Sequence, residues 1–231
     1  MKPRHSAFDL LICDCDGVLV DSEIVADRVL LETITGLYPG RGAERVLANG
    51  FGTQTEVLLA RVADHLGEAL PVNFSEELRR NLDARLALEA EPVRGIRQAL
   101  ESVGLPIAVV SNSPEGRVRN AIRRAEIGHL IGDRIYTADH VEHPKPAPDV
   151  YLLAAHSLMV PPERCVVIED SGPGVTAAKA AGMSVIGFVG ASHIPDGHDA
   201  KLMGLGAGHI LNDMAMLPQL IADLGRHRSA S

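Results

Sequence analysis

Asp14 and Asp16 stand two residues apart, directly after the apolar run Phe8–Cys13 and directly before Gly17. In extended chain, residues two apart project to the same side, so both carboxylates are expected to address one site. Neighbouring anions repel, and burying them without a partner is costly. Such a pair calls for a cation. Hard carboxylate oxygens at a strand end suit Mg²⁺, which keeps several waters and binds substrate phosphate oxygens beside one or two carboxylates. Other polar residues occupy equivalent places. Ser111-Asn112 follows the apolar segment Pro106–Val110, and Glu169-Asp170 follows Arg164–Ile168 and precedes Ser171-Gly172-Pro173-Gly174. Between them lies His143-Pro144-Lys145-Pro146-Ala147-Pro148-Asp149. Singly, each has a plain reading: a turn, a helix cap, a solvated loop cation, acids at a helix start. Together they mark the carboxyl ends of successive strands, where open α/β sheets bind ligands.

The elements that must position these residues alternate. Apolar strand-length runs at 8–13, 106–110, 164–168 and 184–188, with shorter candidates at 134–136 and 208–210, are separated by helical patterns at 96–103, 115–126, 147–157 and 172–181. That alternation predicts an α/β fold, a doubly wound parallel sheet with helices on both faces. Between Leu19 and about Ala87 the periodicity is helical throughout: Val25, Val29, Leu30, Ile34 and Leu37 share one face, with further helices at 43–49, 56–66 and 75–91 and no convincing strand. The expected organisation is a core of residues 1–18 and 88–231, with an all-helical insert at 19–87.

Composition excludes several functions. An apolar fraction of 46% supports a large core, built without Trp and with few aromatics. A formal charge of −8 argues against nucleic-acid or anionic membrane partners, which need a basic face. No apolar run reaches spanning length, and the opening MKPRHSAFD lacks a secretory apolar region. Cys13, Cys15 and Cys165 lie in or beside apolar runs and read as reduced core residues, so a cytoplasmic protein, most simply a monomer, is expected. His193, His198 and Asp199 sit among Gly, Pro and Asp and read as a surface loop, and Arg226-His227-Arg228 as a disordered charged terminus.

The four strand-end segments resemble the motifs of the haloacid dehalogenase superfamily, in the β-phosphoglucomutase-like and sugar-phosphate phosphatase branch whose helical cap follows motif one. Asp14-x-Asp16-Gly17-Val18-Leu19-x-Asp21-Ser22 resembles motif one and Val109-Val110-Ser111-Asn112 motif two. Lys145-Pro146-x-Pro148-Asp149-x-Tyr151 resembles motif three and Val167-Ile168-Glu169-Asp170-Ser171-x-x-Gly174 motif four. The resemblance implies a Rossmann-like core with a cap that closes over the site. It implies a Mg²⁺-dependent phosphatase in which Asp14 is the nucleophile and forms an aspartyl-phosphate. Asp16 would supply its carbonyl to the metal, and its carboxyl would protonate the leaving oxygen and later activate water. Asp14, Asp170 and Glu169 would serve the metal, Ser111 and the Asn112 amide the phosphate oxygens, and Lys145 the charge between them.

Asp16 separates the chain from dehalogenases, which lack an acid there, and the absence of lysine from 19–87 separates it from phosphonate hydrolases. Where β-phosphoglucomutases carry a basic K-G-x-S-R loop, this chain has Phe51-Gly52-Thr53-Gln54-Thr55. Gly52, Thr53 and Gln54 are expected to contact the substrate without gripping a second phosphate. Hydrolysis of a small phosphorylated metabolite is therefore favoured over a mutase. The presence of both Asp14 and Asp16 argues against a binding protein without turnover. The segment from His193-Ile194-Pro195 to Gly206-Ala207 resembles bacterial sugar-phosphate phosphatases, which points to a sugar phosphate or a sugar-acid phosphate such as 6-phosphogluconate.

Overall fold

A computed structural model describes residues 7–48 and 55–228. In chain order, strands β1 (Leu10–Cys13) and β2 (Val20–Asp21) precede four helices, α1 (Glu23–Leu37), α2 (Glu44–Leu47), α3 (Thr55–Leu66) and α4 (Phe74–Glu89). Then follow β3 (Glu91–Pro92), α5 (Ile96–Val103), β4 (Ile107–Ser111), α6 (Glu115–Arg124), α7 (Gly128–Ile131), β5 (Ile135–Thr137) and α8 (Asp149–Ser157). The chain ends with β6 (Cys165–Glu169), α9 (Gly172–Ala180), β7 (Ser184–Phe188), α10 (His198–Leu205), β8 (His209–Leu211) and α11 (Leu217–Arg228). Contacts divide it into two compact units, Met1–Asp21 with Glu91–Ser231, and Ser22–Ala90.

The first unit holds a six-stranded sheet in the order β5-β4-β1-β6-β7-β8, every pair parallel. Numbering only these strands along the chain gives 3-2-1-4-5-6, the doubly wound Rossmann-like order, which reverses between β1 and β6. Register makes that reversal a site. Cys13 lies opposite both Val109 and Ile168, so the next residue of each strand, Asp14, Val110 and Glu169, arrives at the same level. Helix-covered parallel strands are apolar on both faces, and β1, β4 and β6 are buried throughout. A core cluster of Leu10, Ile12, Val110, Tyr151, Val167 and Val175 ties α8 and α9 to the sheet.

In the second unit α1 buries Val25, Val29, Leu30 and Ile34 along one stripe, while Leu37 is exposed. It packs along α4, which contributes Phe74, Leu78 and Leu86. Within the first unit, the two points where the chain leaves and re-enters it are joined. β2 and β3 pair antiparallel, Val20 with Pro92 and Asp21 with Glu91.

Some elements differ from the sequence expectation. β1 stops at Cys13 after four residues, so Asp14 and Asp16 occupy the turn beyond it, not a continuing strand. β2 is a strand where only helix was expected, since two residues carry no periodicity. His198 opens α10, and Arg226, His227 and Arg228 end α11, whose buried Leu217 and Ile221 pack it on α5. Gly52, Thr53 and Gln54 lie outside the described residues.

Candidate active site

Lys145 is the hub of the strand-end cluster. Its Nζ donates to Asp14 Oδ1 at 2.6 Å, to Glu169 Oε1 at 2.7 Å and to the Val110 carbonyl at 3.0 Å. An ammonium has three N–H donors, and these three acceptors use all of them. The backbone of Lys145 is fixed as firmly. Asn112 Oδ1 accepts from the Lys145 amide and Asn112 Nδ2 donates to the Lys145 carbonyl, both at 3.0 Å. The Asn112 side chain thus clasps the loop that carries the lysine.

Glu169 is fully buried and accepts at both oxygens: Lys145 and Tyr151 Oη reach Oε1, while Ser171 N and Oγ both reach Oε2 at 2.9 Å. A carboxylate offers about four lone-pair positions, so protein donors already fill them. Ser171 Oγ in turn accepts from Gly174 N at 3.1 Å, capping α9. Position 174 must be glycine, because a Cβ there would lie 1.6 Å from Glu169 Oε1. Gly17 is required twice over. Its φ of +77° is a left-handed turn, and a Cβ would lie 1.9 Å from Asp170 Oδ2.

Asp14, Glu169 and Asp170 each place a carboxylate oxygen within 4.8 Å of the others, all buried. Asp16 points elsewhere: its Oδ2 accepts from Ser113 Oγ at 2.7 Å, and Arg117 Nη1 reaches that same Ser113 hydroxyl at 3.4 Å. Ser111 Oγ accepts from Ser113 N at 2.9 Å. Sequence reading brought Asp14, Asp16, Ser111, Asn112, Lys145, Glu169 and Asp170 to one place. It gave Tyr151 and Ser171 only as motif positions, read His193 and His198 as a surface loop, and gave Ser113 no role. The strand-end rule, extended to β7, would have flagged Ser192-His193 in the loop that follows it.

The electrostatics set the chemistry. Burial, reinforced by Glu169, holds the Asp14 carboxyl well above the ordinary carboxylate range against the pull of Lys145. Burial pushes Asp170 up to about 6, against a hydrogen bond from His193 and with the charge of Glu169 adding. Burial also disfavours the Lys145 charge, yet Asp14 and Glu169 keep it well above the usual lysine value. One ammonium therefore faces three acids, and Asp14 favours its proton. A divalent ion among these hard oxygens would restore charge balance and return Asp14 to its anionic form, so the donor set fits Mg²⁺.

The family model of haloacid dehalogenase-like hydrolases matches residues 8–182. The chain belongs to that family. A fructose-1-phosphate phosphatase, YqaB of Escherichia coli K12, is 40% identical over 191 residues, covering 76% of this chain and 94% of its own. The 6-phosphogluconate phosphatase of the same organism is 27% identical over 189 residues, covering 81% and 86%. Among solved structures, a HAD family hydrolase from Deinococcus radiodurans R1 with bound phosphate and sodium superposes with a TM-score of 0.79 at 33% identity, covering 96% of this chain and 98% of that one.

Proposed function

We propose that this chain is a Mg²⁺-dependent phosphatase acting on a small phosphorylated sugar or sugar acid through an aspartyl-phosphate at Asp14. The chain is a phosphoric monoester hydrolase of the haloacid dehalogenase family. The observation that carries the finer reading is the buried cluster at the sheet reversal: a carboxylate at the end of β1, a fully engaged lysine, and two more acids at the end of β6. Asp14 and Asp170 would hold the metal through carboxylate oxygens and Asp16 through its backbone carbonyl, with Glu169 contributing charge beside them. When bound, the ion offsets repulsion between Asp14 and the phosphoryl group and stabilises charge on its equatorial oxygens.

The remaining work belongs to the chain. An Asp14 oxygen attacks phosphorus as the bond from phosphorus to the sugar oxygen breaks. The Asp16 carboxyl gives that departing oxygen its proton, and Ser113 holds Asp16 in place for the transfer. Ser111 and the Asn112 amide donate to phosphoryl oxygens, and Lys145 balances the charge. Asp16, now a carboxylate, takes a proton from water, whose oxygen bonds to phosphorus and frees Asp14. The unit Ser22–Ala90 serves as the cap and selects the substrate, with Gly52, Thr53 and Gln54 as contacts. The small-metabolite reading also suits the −8 charge and the absence, among the described residues, of any helix long and apolar enough to cross a membrane.

Phosphate release across phosphorylated sugars, sugar acids and nucleotides, with Mg²⁺ and with EDTA, tests this reading. Release confined to sugar-type esters, dependent on Mg²⁺ and absent in Asp14→Asn, is the expected result. Release that persists in Asp14→Asn, or silence across the panel, would overturn it.

A further inference from the structure

Lys145 holds Asp14 and Glu169, yet directs none of its three hydrogen bonds to Asp170. What faces Asp170 comes instead from the loop after β7 and the first residue of α10. His193 Nε2 lies 3.5 Å from Asp170 Oδ2, and His198 Nε2 donates to the Asp170 carbonyl at 2.6 Å. Gly17 crowds the same carboxylate, with no room for a methyl: a Cβ there would lie 1.9 Å from Oδ2, the oxygen His193 faces. His193 is itself anchored. Its Nδ1 lies 3.3 Å from Asp21 Oδ1, and the other Asp21 oxygen accepts from Ser192 N at 3.1 Å and from the Ser192 hydroxyl. The imidazole is almost wholly buried between the two acids, with 6% of the side chain exposed. Asp21 is the last residue of the first unit before the chain enters the helical one.

We propose that His193, anchored by Asp21 and Ser192, is a positioning residue that fixes the Asp170 carboxylate for metal binding. The inference rests on the magnesium reading given above. A carboxylate swings about two side-chain torsions. One faced by an anchored imidazole and crowded by the Gly17 backbone presents its oxygens to Asp14 and Glu169 without first losing rotational freedom. Partners of this outer kind commonly change metal affinity by about 10–100-fold when removed. The same contact chain joins Asp170 to β2, so the residue at the entrance to the helical unit is mechanically linked to the metal carboxylate.

Calorimetric titration of the full chain with MgCl₂ alone tests this without reference to turnover. The set is wild type, Asp170→Asn, His193→Ala, His193→Gln and Asp21→Ala, each checked for folding by thermal denaturation in EDTA. The expected result is a Kd for Mg²⁺ raised roughly 10–100-fold in His193→Ala. His193→Gln, which keeps a donor toward Asp170, should regain part of that loss. Asp21→Ala, which frees the ring without removing it, should give a smaller rise. A folded His193→Ala that binds Mg²⁺ as wild type does would overturn the inference. Should that variant not fold, an unchanged Kd in Asp21→Ala would overturn it in the same way. Failure of wild type to bind Mg²⁺, or equal binding by Asp170→Asn, would instead bring down the metal reading on which it stands.

Discussion

Two places where one cation stands between two carboxylates, one at the surface and one buried, behave oppositely. In the helical unit Arg85 on α4 joins Glu32 on α1 to Glu89, with 30% of the arginine side chain exposed. In the sheet unit Lys145 joins Asp14 to Glu169, with 3% exposed. At the surface the hydrogen bond from Arg85 lowers the Glu89 carboxyl, the ordinary effect of a cation on an acid. At the sheet reversal the nearby cation does not prevail, and burial with a second anion raises Asp14 instead. Water accounts for the difference. Where solvent reaches both partners, pairing adds little beyond hydration. Where it does not, each uncompensated charge carries its desolvation cost, and the site is left receptive to a further cation.

Removing the hub should therefore have the largest consequence. Lys145→Met leaves Asp14 and Glu169 facing each other in a dry site, and breaking a buried pair from one side costs about 3–5 kcal/mol. Urea denaturation of the metal-free variant at neutral pH should show a loss of that order, with phosphate release falling at least about 100-fold. The stability loss should shrink as pH is lowered, because the buried acids can then take up protons. A variant as stable as wild type at every pH would place Lys145 on the surface side of the comparison.

The buried acids also give the metal-free chain a distinctive pH dependence. Asp170 binds its proton more tightly in the folded state, at about 6, than at its ordinary value of 3.8. Protonation therefore favours folding. The contribution is complete below the ordinary value and is lost as pH rises through the folded one. A shift of this size corresponds to roughly 3 kcal/mol. In EDTA the urea midpoint should fall between about pH 4 and pH 6, opposite to the rise that salt-bridged surface acids produce. Asp170→Asn should flatten that slope. Saturating Mg²⁺ should reverse it, since the ion selects the ionised carboxylates. A midpoint that climbs through the same window without metal would show Asp170 to be solvated.

What could be read in the sequence follows the same division. Asp14, Ser111, Glu169 and Asp170 each follow an apolar run, and a strand followed by a polar residue is a local pattern. One register then brings Asp14 level with Glu169, with Ser111 and Asp170 one residue beyond. Lys145 sits in a proline-rich loop with no periodicity, and its role was legible only through resemblance to a family. Partners joined across long separations left no local trace. The clasp of Asn112 on the Lys145 backbone, the β2–β3 ribbon, and the line from Asp21 through His193 to Asp170 each depend on tertiary placement alone. The loop holding His193 looked like surface because Gly, Pro and Asp are hydrophilic turn formers, yet its histidines turn inward to satisfy Asp21 and Asp170. Helix α11 was missed differently. Leu217 and Ile221 carry the one-turn spacing of a buried stripe, but the charged residues at its end drew the reading toward a loose terminus.

The surface cluster supplies the smallest effect and the sharpest control. Arg85→Leu deletes both of its ion pairs while keeping a helix-forming residue on α4. The carboxylates left behind, Glu32 and Glu89, remain open to water, so neither becomes a stranded buried charge. Glu89 also keeps Arg28 as a partner. Pairs at this exposure are screened by salt, and the long side chains regain freedom when released, which offsets the attraction lost. The variant should unfold at a urea concentration indistinguishable from wild type in 0.5 M NaCl, with a small decrease in dilute buffer (a salt concentration of roughly this size shortens screening to a few ångströms). Phosphate release should be unchanged in both. A large loss that persists at high salt would mean that Arg85 works by packing its aliphatic stem against α1 and α4, and the contrast with Lys145 would then be one of shape as well as charge.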